Sequence, residues 1–196
     1  MTIHQTLTEK IQPWLLLNNP FYQAWSMGSL PTSALQSYAS EYGNFLILLA
    51  NGWQTLDDQE TAAEEADHVT LWARFARSLQ TDIVPPQLPA TDKLVKQAQQ
   101  FFAHPASAMG AMYAFEVQQP ATASSKLEGL HTHYPHLHAD ETYFVAHQAN
   151  QNESMKLLSM IEKLSPTEQQ QAIQACAAMS QLLWETLTAI HLQTLN

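Results

Sequence analysis

A single cysteine, Cys176, rules out an internal disulfide and points to a reducing compartment. Glycine is scarce, with 5 against 10 prolines, while 45% of the residues are apolar, which excludes a loop-rich or disordered chain. Basic residues are few: 8 Lys and Arg against 18 Asp and Glu leave a formal charge of −10. That balance excludes the basic footprint a nucleic-acid partner needs. No uninterrupted apolar run reaches transmembrane length. The opening MTIHQTLTEKIQPWLLL also lacks the basic n-region and small-residue cleavage site of a signal peptide. The expectation is a soluble cytoplasmic protein with no membrane partner.

What remains is helical patterning from end to end, with no convincing alternating strand. SPTEQQQAIQACAAMSQLLWETLTAIHLQTL is the clearest case. Ser165 can cap it, Pro166 suits the first turn, and Glu168 completes a capping box. Ile173, Cys176, Ser180, Leu183, Leu187 and Ile190 then mark one buried stripe. The same logic places helices at about 3–17, 20–28, 32–55, 58–80, 91–104, 106–119, 120–134, 140–164 and 166–194, punctuated by prolines. Pro13 falls inside the first and should kink or split it. TDIVPPQLPA (81–90) is the one crossover loop. At 196 residues the chain fits one domain, 1–196, an all-α bundle with sites expected between facing helices.

Two conspicuous stretches carry less than they advertise. HTHYPHLH holds His131, His133, His136 and His138 around Pro135, at neither a helical i, i+4 spacing nor a recognised zinc pattern. It is read as a solvated connecting loop. The acidic run DDQETAAEEAD (57–67) is read as a solvated helix face in preference to a metal cluster.

The informative residues are ionisable groups that helical geometry turns inward. Glu116 shares a face with Met109 and Met112, beside Tyr113; His68 lines up with Trp72, Phe75 and Leu79. Phe144, His147, Gln151, Ser154 and Leu158 form one stripe that stays polar for two turns. Each histidine alone reads as a satisfied core residue. Three inward ligand-type residues on three helices form a candidate site, because facing carboxylates and histidines are how bundles hold metals.

These residues lie in motifs that resemble the TenA/PqqC family of heme-oxygenase-like fold, most closely its branch containing the chlamydial protein associating with death domains. NPFYQAWSMGSLPTSALQSYASEYGNFL is similar to that branch's HPFYxxWxxGxLxxxxLxxYAxxYYxxx, and YAFEVQQPATASSKLEGLHTHY to YxYExQIPxxxxxKxxGLxxxYG. YFVAHQANQNES is similar to YFxxHxxxDxxH. With DHVTLWARF, these span most of the chain in order, and the resemblance implies a heme-oxygenase-like bundle, usually a homodimer. The family's chemistry is diverse: thiamin-pyrimidine hydrolysis, oxidation in pyrroloquinoline quinone synthesis, and non-haem di-iron oxygen chemistry.

Carried over residue by residue, the resemblance divides these activities. Tyr42 stands where the hydrolase branch has an aspartate, and Cys176 does not match its catalytic cysteine, which weighs against thiamin hydrolysis. The di-iron pattern matches at His68, Glu116 and His147. It departs at Thr61, unless a short gap brings Glu60 or Glu64 into place, and again at Gln151 and Ser154, where the family has Asp and His. The implied metal is therefore iron, one ion, or none, held by His68, Glu116, His147 and Glu64. Tyr22 and Lys126 match a functional Tyr and Lys of the 4-aminobenzoate-producing branch; the plain alternatives are a packed aromatic and a solvated lysine. The leading expectation is an oxidase- or oxygenase-like enzyme acting on a small-molecule metabolite. Tyr22, Lys126 and Glu116 would be catalytic, and Tyr42, Trp72, Tyr113, Phe144 and Gln151 would line the binding site. A non-catalytic metabolite- or partner-binding bundle ranks second.

Overall fold

The structure, a computed structural model, describes residues 2–193, and every regular element among them is helical. In chain order these are α1 (Ile3–Ile11), α2 (Pro20–Ser26), α3 (Thr32–Leu46), α4 (Leu49–Thr55), α5 (Gln59–Ser78) and α6 (Pro89–Phe102). There follow α7 (Pro105–Glu116), α8 (Gln119–His133), α9 (Thr142–His147), α10 (Asn152–Ile161) and α11 (Pro166–Gln193). No described helix is long and apolar enough to cross a membrane.

Local chemistry sets most boundaries. Thr2 and Gln5 form a capping box on α1, and Pro13 ends that helix in 3₁₀ turns, as ring geometry requires. The Ser165 hydroxyl and Glu168 carboxylate close the expected box at the start of α11. All six residues of the α11 stripe are buried. The last residue expected in that helix, 194, lies outside the described residues.

Two expected helices are each broken in two. The span 32–55 breaks after Leu46, which lets α4 pack on α5 and α7 while α3 lies against α5, α6 and α11. The span 140–164 breaks at 148–151: α9 packs on α5 and α8, α10 on α7. One straight rod would miss one of these partners. The Asn150 carboxamide marks the restart by accepting from the Asn152 N–H at 3.0 Å.

At the centre lies α7, buried on every side from Ala108 to Glu116. Such a helix carries no polar stripe because it has no solvent face. Its closest neighbour is α11, against which Gly110 packs so tightly that a Cβ there would sit 1.9 Å from the Ala172 carbonyl oxygen. The crossover 81–90 runs along α3, pinned by the buried Glu41 carboxylate, which accepts from the Gln87 and Leu88 N–H groups at 2.9 and 3.4 Å. HTHYPHLH is less of a loop than expected. His131 and His133 complete the last turn of α8; His131 pairs with Glu141 at 2.8 Å, and His133 contacts the Ser26 carbonyl at 2.9 Å. The stretch fastens helix ends.

Gly110→Ala should force α7 off α11 and cost roughly 3 kcal/mol, the upper end for overpacking. Urea unfolding measures this, and an unchanged midpoint would contradict the contact.

Candidate functional site

Helices α2, α3 and α8 bring Tyr22, Tyr38 and Lys126 together. Lys126 is 1% exposed, and its Nζ lies 3.1 Å from the Tyr38 hydroxyl and 3.5 Å from that of Tyr22; the hydroxyls are 3.0 Å apart. Three rings face the amine, Tyr22, Tyr38 and Phe144, at 5.3, 5.6 and 5.0 Å from their centroids. No acidic side chain is among its hydrogen-bond or ion-pair partners. Burial without a counter-charge lowers Lys126 to about 7, so at neutral pH the amine is close to half unprotonated. Burial also pushes the Tyr22 and Tyr38 phenols up, keeping them protonated donors. Tyr38 was not among the sequence candidates; its signal was its place one helical turn before Tyr42 in SYASEY.

A second set gathers where α5, α7, α9 and α10 meet. His68 and His147 lie with ring centroids 4.4 Å apart, and His147 stacks on Tyr143 at 4.2 Å. The His147 Nδ1 is 2.7 Å from the Tyr143 carbonyl, which can only accept; Nδ1 therefore carries the hydrogen and Nε2 presents its lone pair. Burial first, then His68 and Lys126, lower His147 to about 4, so the ring is neutral. Glu116, the last residue of α7, is 4% exposed, and its Oε1 has no hydrogen-bond partner. Burial and the nearby carboxylates of Glu65 and Glu153 raise it well above the carboxylate range, and the negative end of α7 adds to the same effect.

Glu65 and Glu153 are the site residues that sequence reasoning missed. Glu60 and Glu64 face solvent, whereas Glu65 is 3% exposed with Oε2 3.5 Å from the Nδ1 of His68. Burial alone would lower His68; Glu65, then Glu64 and Glu153, outweigh it and raise it. Glu64 thus acts on the histidine only from outside, because one step along a helix turns a side chain by about 100°. The acidic run is a solvated face except at Glu65 and at Asp58, which caps α5. The expected stripe through Gln151 is interrupted, because α9 stops at His147. Gln151 is exposed at the cap of α10, and Glu153 beside it turns inward. Ser154 is buried with its hydroxyl donating to the Gln151 carbonyl at 3.1 Å. Thr61, in the place of a family carboxylate, is buried and accepts from the Lys156 ammonium at 3.0 Å.

Between the two sets lies an aromatic layer. Tyr38 contacts Tyr42 and Trp72 at 5.1 and 5.4 Å, and Trp72 contacts Tyr143 and Phe144 at 4.8 and 5.9 Å. The Tyr42 hydroxyl is buried without a partner. Tyr113 belongs elsewhere: it faces Cys176 and a surface cleft of about 340 Å³ that Gln151, Ser154, Met155 and Leu158 also line. Cys176 is fully buried, and burial pushes its thiol up to about 12, which leaves it unsuited to nucleophilic attack. Among the described residues, no three His, Cys, Asp or Glu side chains are placed to hold a metal ion. The donors nonetheless have the right chemistry for non-haem iron: two imidazoles, one with a bare lone pair, and three buried carboxylates, one with a bare oxygen.

The fold agrees with the motifs. A domain of unknown function with a heme oxygenase-like fold from Shewanella denitrificans matches with a TM-score of 0.80 at 16% identity, over 98% of this chain and 93% of that one. A TenA homologue from Pseudomonas syringae matches with a TM-score of 0.74 at 13% identity, over 97% and 93%. The chain therefore has the all-α heme-oxygenase-like fold of TenA homologues. No model of a known protein family matches the sequence. Among curated proteins, the 4-aminobenzoate synthase of Nitrosomonas europaea is 28% identical, covering 97% of this chain and 91% of its own length. That of Chlamydia pneumoniae is 27% identical over 94% and 93%, in keeping with the resemblance to the chlamydial branch.

The buried amine makes stability depend on pH in a definite sense. A base whose value is lowered on folding leaves the native state with fewer protons than the unfolded chain between the two values. Stability therefore rises as pH climbs from about 7 toward the ordinary lysine value of about 10.4. Urea unfolding should show a rise of up to about 2 kcal/mol between about pH 7 and 9. Lys126→Met should flatten it and be the more stable protein at the lower pH. An equal slope in both proteins would refute the unpaired amine.

Proposed function

We propose that this chain is an oxidase-like enzyme of the 4-aminobenzoate synthase type, with Tyr22 and Lys126 at the reacting centre. The observation that carries the reading is the contact between the Lys126 amine and the Tyr22 phenol in an interior that excludes water. An amine near 7 is both a usable nucleophile and a proton carrier at neutral pH. Tyr38 fixes both partners and offers its hydroxyl for a proton passing between Lys126 Nζ and Tyr22 Oη. The phenol of Tyr22 stays protonated until a neighbour takes its proton.

His68, Glu116 and His147 would hold a metal in this reading, iron by the chemistry of the donors, and it would supply oxygen activation. His147 suits the task because its backbone bond orients Nε2 as a lone pair. Glu116 would offer its unpartnered Oε1. Thiamin hydrolysis is disfavoured by the buried, inert Cys176. The replacements at Thr61, Gln151 and Ser154 favour one specific second reading, a non-catalytic binder of a small aromatic metabolite.

Protein purified without a polyhistidine tag, supplied with ferrous iron, a reductant, air as oxidant, an aromatic acid or phenol as ring source and an amine as nitrogen source, should yield 4-aminobenzoate by liquid chromatography–mass spectrometry. Tyr22→Phe and Lys126→Met should each lower the yield by about a hundredfold or more, the scale of a lost acid–base partner; Glu64→Gln should leave it within about twofold. No product from iron-loaded wild type would overturn the enzymatic reading, and saturable binding of 4-aminobenzoate without turnover would replace it with the second.

A further inference from the structure

We propose that the surface cleft beside Tyr113 is a binding site for a small aromatic carboxylate, separate from the interior centre and independent of iron. Its volume of about 340 Å³ is at the lower end of the range for small-molecule pockets. Val117, Met155 and Leu158 give it an apolar wall for a ring, and the first two are 36 and 66% exposed. Tyr113, Gln151 and Ser154 bring polar groups to the same space, joined by His4 of α1. No Asp or Glu is among the lining residues, in a chain with 18 acidic and 8 basic side chains. Gln151 keeps it so, standing where the resemblance has an aspartate.

Two independent observations point to an anion. The first turns of α8 and α10 both open on the cleft, one through Pro120 and Ala121, the other through Gln151 and Ser154. Neither helix is closed by its N-cap side chain, so two positive helix ends face one space. On α10 the Asn150 carboxamide takes the Asn152 N–H, which leaves those of Glu153 and Ser154. The Glu153 carboxylate accepts from Asn150 and does not line the cleft. The negative end of α7 is already occupied: the carbonyls of Tyr113, Ala114 and Phe115 accept from the Val117 N–H, the Gln118 carboxamide and the Gln118 N–H. The second observation is the Tyr113 hydroxyl. Tyr113 is 2% exposed, yet its hydroxyl has no hydrogen-bond partner among the described residues, and unlike that of Tyr42 it is not sealed from the surface. Burial pushes the phenol up to about 12, so it remains a donor with nothing to receive its hydrogen. A carboxylate in the cleft would accept that bond and face both helix ends while its ring covers the apolar wall. A ringless oxyanion would leave the wall bare.

Isothermal titration of the metal-free full chain with sodium benzoate tests the site. One benzoate per chain should bind saturably. Benzyl alcohol, which lacks the charge, and inorganic phosphate, which lacks the ring, should bind at least about tenfold more weakly. Tyr113→Phe should weaken benzoate by about tenfold, the scale of a bond to a charged group, and Gln151→Asp by at least as much through repulsion. Both variants should melt with wild type, because the lost hydroxyl bonds nothing in the fold and Asp is a favoured N-cap residue. Should Tyr113→Phe melt lower, Gln151→Asp decides alone: weakened binding supports the site and unaltered binding overturns it. No saturable binding, equal affinity for benzyl alcohol or phosphate, or unaltered affinity in both variants would overturn it. Benzoate lost in Tyr22→Phe but kept in the cleft variants would place the anion in the interior and likewise overturn it. None of these outcomes depends on iron or turnover, so the oxidase reading stands or falls separately.

Discussion

An amine and three carboxylates share the interior of this bundle, yet they do not pair. Lys126 stands on one side of the layer formed by Tyr38, Tyr42, Trp72, Tyr143 and Phe144, and Glu65, Glu116 and Glu153 gather on the other. Had the amine met a carboxylate, the two would have formed a buried ion pair and lost their unusual proton affinities. Held apart, each remains out of balance: burial lowers the amine to about 7, and burial with nearby carboxylates raises Glu116 well above its ordinary value. Separated titratable groups whose environments push their affinities in opposite directions are a hallmark of acid–base sites.

That imbalance lowers the stability of the fold, and other parts of the bundle offset it. The central α7 is enclosed on all sides, with Gly110 allowing direct contact against α11. The long stripe of α11 and the rings of Trp25, Trp53, Trp72, Phe45 and Phe75 add buried apolar area. The buried Glu41 carboxylate is satisfied by its two backbone donors. The buried Tyr42 hydroxyl and Glu116 Oε1 of the candidate site have no partner, and neither do the Trp53 Nε1 and Thr91 Oγ1 outside it.

The same contrast separates what was legible in the chain from what was not. Glu116, His68 and His147 stood out because each lies on an apolar helical face, where a ligand-type side chain is conspicuous. Tyr22 and Lys126 were visible only through resemblance, since an aromatic at a helix start and a lone lysine carry no local signal. Glu65 was hidden in a run of acids whose members look alike, and the choice between it and Glu64 depended on the angular phase of α5. Glu153 was hidden by the break at 148–151, because a stripe extrapolated through a break arrives at the wrong residue.

By itself the sequence determined the helical class, the α11 capping box and stripe, the proline boundaries and three inward ligand-type residues, all properties of chain neighbours within a turn or two. Only the tertiary structure decided that Lys126 is buried without a counter-charge, that Tyr38 joins it, and that Glu65 and Glu153 face Glu116. Those are contacts between residues far apart in the chain. They depend on how helices pack and on where α3 and α9 stop, which periodicity along one helix does not encode.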